Sequence, residues 1–151
     1  MNPVLVTASR RYKFSASHRL HSPLLSDEEN RELFGKCNNP FGHGHNYEVE
    51  VSVRGEIDPQ SGRVVDMASL DRLVLRLIVD RYDHRYLNEE LSEFRTEIPT
   101  TENVGRQIEK RLAEAWPFVH PALEGIRVFE TERNMIEVEH CQADKPKRIN
   151  E

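Results

Sequence analysis

The chain has 151 residues and a formal net charge of −5, enough length to bury a core in one domain without disulfide staples. No apolar run approaches a membrane span, and no basic cluster alternates with aromatics, so neither a membrane nor a nucleic acid is expected as a partner. Two cysteines, Cys37 and Cys141, are too few for a secreted disulfide framework, and Met1 to Phe14 lacks the continuous apolar core of a signal peptide; the expected compartment is reducing and cytoplasmic.

Residues 4–17 alternate as a strand does, with Val4, Val6, Ala8, Tyr12, Phe14 and Ala16 on one parity, and His18 extends that inward face. After a loop punctuated by Pro23, Ser26-Asp27-Glu28-Glu29 reads as a capping box that opens a short helix ending near Phe34, with Gly35 as its stop. A second strand runs from about His43 to Glu56. Its inner parity carries His43, His45, Tyr47, Val49, Val51 and Val53, and its outer parity Asn46, Glu48, Glu50, Ser52 and Arg54. Asp58 to Gly62 is a turn by its chemistry, followed by a short extended Arg63-Val64-Val65. Asp66 is placed to cap a helix whose apolar face is Leu70, Leu73, Val74, Leu77 and Ile78 and which runs out near Arg81. A further helix begins after Pro99, capped by Thr100 or Thr101, and stops at Pro117. Two closing strands carry Ile126, Val128 and Glu130, then Ile136, Val138 and His140, with a hairpin turn at 132–134. The expected architecture is α+β: a four-stranded antiparallel sheet in the order ββααββ, two main helices on one face, a single domain over 1–142 and a polar tail over 143–151.

The chemistry concentrates in Gly35 to Tyr47. Two histidines two residues apart on a strand point to one side, so His43 and His45 can reach one metal ion. A catalytic zinc site typically takes three protein ligands and leaves a position open. His18, on matching parity at the end of the neighbouring strand, is the best third candidate, although periodicity alone does not single it out over His21. His21, His120 and His140 have no companion ligands and read as structural. Cys37 lies in the adjoining loop as a ligand, a nucleophile, an acid/base or an inert thiol; a nearby metal or imidazolium would favour its thiolate. Asp83-His84 joins a carboxylate to an imidazole just past a helix, an arrangement that tunes acid/base groups or simply solvates a helix end. Glu130 faces inward and needs a partner, for which an amino-amide ligand edge or an internal arginine would serve. Thr100, Thr101 and Glu102 read first as a helix cap.

Phe14-Ser15-Ala16-Ser17-His18-Arg19-Leu20, Leu33 to Pro40 running into Gly42 to Tyr47, Gly55 to Pro59, Asp83-His84, Thr100 to Val104 and Val128 to Thr131 resemble the 6-pyruvoyl-tetrahydropterin synthase family over about residues 10–138. The resemblance implies the tunnelling fold (T-fold), in which trimers form a barrel and two trimers stack as a hexamer. It implies a lyase that converts 7,8-dihydroneopterin triphosphate to 6-pyruvoyl-tetrahydropterin with loss of triphosphate. It further implies Zn2+ held by His18, His43 and His45, Mg2+ as an accompanying ion, Cys37 as general base and Asp83 with His84 as its relay. Glu130 would anchor the pterin, Thr100, Thr101 and Glu102 would line its pocket, and the site would form between subunits. Phe41 departs from the family's more usual small polar residue in the loop over the site.

Two other readings compete. The 6-carboxy-tetrahydropterin synthase of queuosine biosynthesis shares the histidines, cysteine and glutamate but usually has three residues between its Cys and His-x-His. The five residues between Cys37 and His43 favour the pyruvoyl enzyme. A zinc-stabilised binding protein without turnover would instead have a closed metal site and a dispensable thiol.

Overall fold

β1 (Leu5–His18) and β2 (His43–Glu56) pair antiparallel over their whole length, from Leu5 against Glu56 to His18 against His43. In this computed structural model residues 3–141 are described; the tail expected over 143–151 falls outside them. Period-two alternation puts Tyr12, Phe14, Ala16 and His18 of β1 and Tyr47, Val49, Val51 and Val53 of β2 on the same inner face. Phe14 and Tyr47, directly opposite in the register, stack with ring centroids 5.0 Å apart, a cross-strand pair that helps pin the alignment.

β4 (Ala122–Phe129) adds antiparallel to β2, and β5 (Met135–Glu139) antiparallel to β4. A fifth strand corrects the expected four-stranded antiparallel sheet: β3 (Arg85–Tyr86) runs parallel to β1 at Ala16 and Ser17, giving a mixed sheet in the order β3-β1-β2-β4-β5. Two residues cannot display a period, which is why the ββααββ reading omitted it. The Arg63-Val64-Val65 stretch, expected to be extended, forms no strand.

The helices cover the inner face. α1 (Asp27–Phe34) begins where the capping box predicts, with Ser26 Oγ accepting the Glu29 N–H at 3.1 Å. α2 (Met67–Val74) continues through a wide π-turn (Leu75–Val79) into α3 (Asp80–Tyr82). Leu70, Val74, Ile78 and Tyr82 recur every four residues, which drifts by about 40° per step around a 3.6-residue helix. The wide turn corrects that drift, and all four remain buried. Asp66 stands at the N-cap position, but its carboxylate takes the Ser69 hydroxyl at 2.5 Å rather than a backbone N–H. α4 (Leu87–Glu90) and a 3-10 turn (Ser92–Arg95) lead to α5 (Thr101–Ala115), whose Val104, Ile108 and Leu112 pack into the same core. On the opposite face Glu50 is buried between Arg11 at 3.0 Å and Arg127 at 3.6 Å, a pairing its outward parity did not announce. No helix among the described residues is long and apolar enough to cross a membrane.

Candidate metal centre and thiol loop

His18 closes β1 while His43 and His45 open β2, so the antiparallel register delivers three imidazoles to one end of the inner face. The rings meet edge to face with centroids between 4.7 and 5.0 Å apart. One ring nitrogen from each lies within 4.8 Å of the other two. His18 is fully buried, and its Nδ1 lies 2.8 Å from the Pro99 carbonyl, which can only accept. Nδ1 therefore carries the proton and Nε2 presents its lone pair. That Nε2 is 3.2 Å from His43 Nε2; two nitrogens on one tetrahedral zinc ion stand about 3.3–3.4 Å apart.

The charge state agrees with the geometry. Burial holds the pKa of His18 and of His43 below the ordinary imidazole value, against the pull of the Glu130 carboxylate. Neutral rings are the form that ligates a metal. His45 Nε2 is buried with no hydrogen-bond partner among the described residues, a costly state unless something else meets it. The donor set fits a divalent metal ion with a coordination position to spare.

Cys37 sits in the 3-10 turn Gly35–Asn38, and its carbonyl accepts the Leu20 N–H at 2.8 Å, which ties the turn to the end of β1. The chain then reverses through Asn39 to Gly42. Gly42 has φ +73°, and a Cβ there would fall 2.9 Å from the His18 carbonyl oxygen, so the turn can approach His18 only because this residue lacks one. Burial, then the nearby Glu130 carboxylate, push the Cys37 thiol up. In the protein alone the thiol is thus the protonated partner, opposite in direction to the thiolate that an adjacent cation would favour.

Glu130 follows β4 directly. One carboxylate oxygen lies 3.5 Å from His45 Nε2, and the other accepts the Thr101 hydroxyl proton. Thr100 is the helix cap, accepting the Asn103 N–H at 3.2 Å, while Glu102 stands exposed in the first turn. Asp83 accepts the Ser15 N–H at 2.9 Å and meets His84 Nδ1 at 2.9 Å; the backbone bond, then His84, hold its carboxyl below the usual range. His84 has φ +59° and a side chain 83% exposed, beside β3 at the sheet edge. Among the described residues the Asp83–His84 pair makes no side-chain hydrogen bond or ion pair with Cys37 or the three histidines.

The fold therefore gathers His18, His43, His45, Glu130 and Thr101 around one point, sets Cys37 within electrostatic reach, and leaves Asp83–His84 without a bond to any of them among the described residues. Two supporting groups escaped the sequence reading. The Pro99 carbonyl orients His18, and no pattern announces a carbonyl. The Tyr47 hydroxyl lies 3.3 Å from the same His18 nitrogen; its parity with His45 was the available signal.

The family model for 6-pyruvoyl tetrahydropterin synthase matches residues 7–141. The chain belongs to this synthase family. The human 6-pyruvoyl tetrahydrobiopterin synthase is 48% identical over 128 residues, covering 85% of this chain and 87% of that protein. The Drosophila melanogaster 6-pyruvoyl tetrahydrobiopterin synthase is 45% identical over 130 residues, covering 85% of this chain and 76% of that protein. The solved structure of Caenorhabditis elegans 6-pyruvoyl tetrahydropterin synthase superposes with a TM-score of 0.85 at 42% identity, covering 93% of this chain and all of that one. The α+β fold of this chain is therefore shared with that solved synthase.

Proposed function

We propose that the chain is a zinc-dependent lyase that converts 7,8-dihydroneopterin triphosphate to 6-pyruvoyl-tetrahydropterin, with Mg2+ as an accompanying ion. The observation that carries this reading is the convergence of three imidazole nitrogens within 4.8 Å beside a thiol-bearing turn, in a chain of this family. His18, His43 and His45 hold the Zn2+, one per subunit, which supplies Lewis acidity to the substrate's side-chain hydroxyls and the C–H bonds beside them. Cys37 removes a side-chain proton as general base. Asp83 fixes His84, and the pair relays that proton for the Cys37 of a neighbouring subunit. Glu130, preset between Thr101 and His45, accepts two N–H bonds from the amino-amide edge of the pterin. Thr100, Thr101 and Glu102 border the ring.

The net reaction needs no outside oxidant or reductant. Triphosphate leaves with the C–O electron pair; of the hydrogens lost from the two side-chain carbinols, two appear on the ring, one on the terminal carbon, which becomes a methyl, and one is released as a proton.

An oligomer, a hexamer of stacked trimers in the tunnelling fold, agrees with the outer edge of β1, which over residues 5–14 has no strand partner among the described residues. A cytoplasmic location goes with this reading.

The test is to incubate the zinc-loaded protein with dihydroneopterin triphosphate and Mg2+ and identify the pterin. The expected result is the 6-pyruvoyl product with one triphosphate released per turnover, and a loss of about 10²-fold or more in kcat for Cys37→Ala. A 6-carboxy product would move the chain to the queuosine-type enzyme, and unchanged kcat in Cys37→Ala would remove the general-base role.

A further inference from the structure

A cavity of about 490 Å³ adjoins the thiol turn, walled by Arg19, His21, Asp27, Arg31, Lys36 and Asn38. Its volume falls in the range of small-ligand sites, about 300–1,000 Å³. Its wall carries three cations, Arg19, Arg31 and Lys36, against one acid, Asp27. Arg10 and Arg81, by contrast, are paired with Asp71 at 2.9 Å and Glu93 at 2.8 Å. Arg19, Arg31 and Lys36 form no ion pair among the described residues.

The floor of the cavity is built in advance. Arg19 is held by its backbone N–H to Asn88 Oδ1 at 2.8 Å and by its Nε–H to the Asn38 carbonyl at 3.1 Å, while its two terminal NH2 groups have no hydrogen-bond partner among the described residues. Buried Asn38 donates from Nδ2 to the Leu20 carbonyl at 2.7 Å and to His21 Nδ1 at 3.0 Å. His21 Nδ1 is thus an acceptor, which leaves its Nε2–H as a donor with no partner among the described residues. Planar guanidinium forks and a lysine ammonium are the groups that recognise phosphate oxygens.

The place matters as much as the charge. Lys36 and Asn38 both line the cavity, and Cys37 lies between them in the same turn.

Resting on the lyase reading above, we propose that this cavity seats the triphosphate of the substrate, with Arg19, Arg31 and Lys36 as its cations and His21 as a neutral donor. The substrate then lies across the thiol turn, its carbon side chain toward the histidines and its leaving group among the cations. In the elimination, a base takes the proton from one side-chain carbon, the freed pair forms the carbon–carbon double bond, and the neighbouring C–O bond breaks with its electrons on the departing triphosphate. Cations at that oxygen stabilise the charge as it develops. Asp27, the one acid in the wall, opposes binding.

The test measures binding of inorganic tripolyphosphate to the full chain by titration calorimetry, for wild type, the double variant Arg31→Gln/Lys36→Gln, Lys36→Arg and Asp27→Asn, with folding checked by far-UV circular dichroism. The double variant should bind at least about tenfold more weakly, Lys36→Arg close to wild type, and Asp27→Asn about two- to fivefold more tightly. Binding by the double variant within about twofold of wild type, or no binding by wild type, overturns the proposal. Failure of the lyase reading looks different. Tripolyphosphate binding that depends on Arg31 and Lys36 without turnover of dihydroneopterin triphosphate upholds the cavity and removes the activity. Turnover whose kcat/KM is unchanged in the double variant upholds the activity and removes the cavity.

Discussion

His18 meets two requirements with one ring. It sits at full burial in the core, donating Nδ1–H to Pro99 at 2.8 Å, and it turns its other nitrogen toward His43. Desolvation is the largest influence on its pKa and lowers it from 6.5; the Pro99 bond and the Glu130 charge pull the other way and lose. The direction fixes a pH dependence. With the folded pKa below the unfolded one, the unfolded chain binds a proton that the folded chain refuses, so stability is full above the unfolded value of about 6.5 and declines as pH falls below it toward the folded pKa. His43 is shifted the same way, again chiefly by burial. Metal-free protein is therefore expected to lose urea midpoint between about pH 7.5 and about pH 5.5, with a smaller loss in His18→Gln. A midpoint that rises on acidification, or a loss of equal size in His18→Gln, would refute that account.

At the scale of elements, the site depends on a strand register and on the turn that enters it. Gly42 and Gly62 both have positive φ, +73° and +71°, but a Cβ at Gly62 meets nothing within 4 Å, whereas one at Gly42 meets the His18 carbonyl at 2.9 Å and the Tyr86 ring at 3.2 Å. Alanine at either position carries the left-handed backbone penalty of about 1–2 kcal/mol. At Gly42 an overpacking cost of about 1–3 kcal/mol is added, because the nearest atom is backbone that cannot rotate away. Gly42→Ala should therefore lower unfolding free energy by at least about 1 kcal/mol more than Gly62→Ala in paired denaturant titrations, and should weaken metal binding where Gly62→Ala does not. Equal costs would mean that the turn yields. The same elements show where sequence is legible. β1 and β2 each run for 14 residues, so period two had room to set the faces of His18, His43 and His45 correctly. β3 has two residues, too few for any period, and its pairing depends on where the chain emerges after Asp83. Glu50 reads as an outward residue, yet Arg11 and Arg127 from two neighbouring strands close over it; cross-strand partners are a property of the sheet that no single strand displays. The cavity beside the thiol turn was equally illegible, since Arg19, Arg31 and Lys36 come from three separate segments.

In the whole molecule, the groups proposed for one reaction lie in two places. The histidines and Glu130 meet at 3.2–3.5 Å, while Asp83–His84 stands beside β3 with the imidazole 83% exposed. An acid/base pair held by backbone bonds to Ser15 at 2.9 Å and 2.6 Å is rigid enough to serve a neighbour, and the open outer edge of β1 nearby gives a second chain somewhere to pair. A site assembled from two copies has a consequence that one contained in a single chain does not. Cys37→Ala and His84→Ala should each be inactive alone. When the two are unfolded together and refolded as a mixture, a shared site that takes its thiol from one chain and its imidazole from the next is intact whenever the first carries His84→Ala and the second Cys37→Ala. Random assembly makes that about one site in four, so the mixture should regain about a quarter of wild-type kcat per subunit. A site within one chain gives no recovery, since each copy still lacks one of its two groups. Recovery near a quarter, compared with each variant refolded alone, would locate the relay across the subunit boundary; none at all would return Asp83 and His84 to holding the edge of β1.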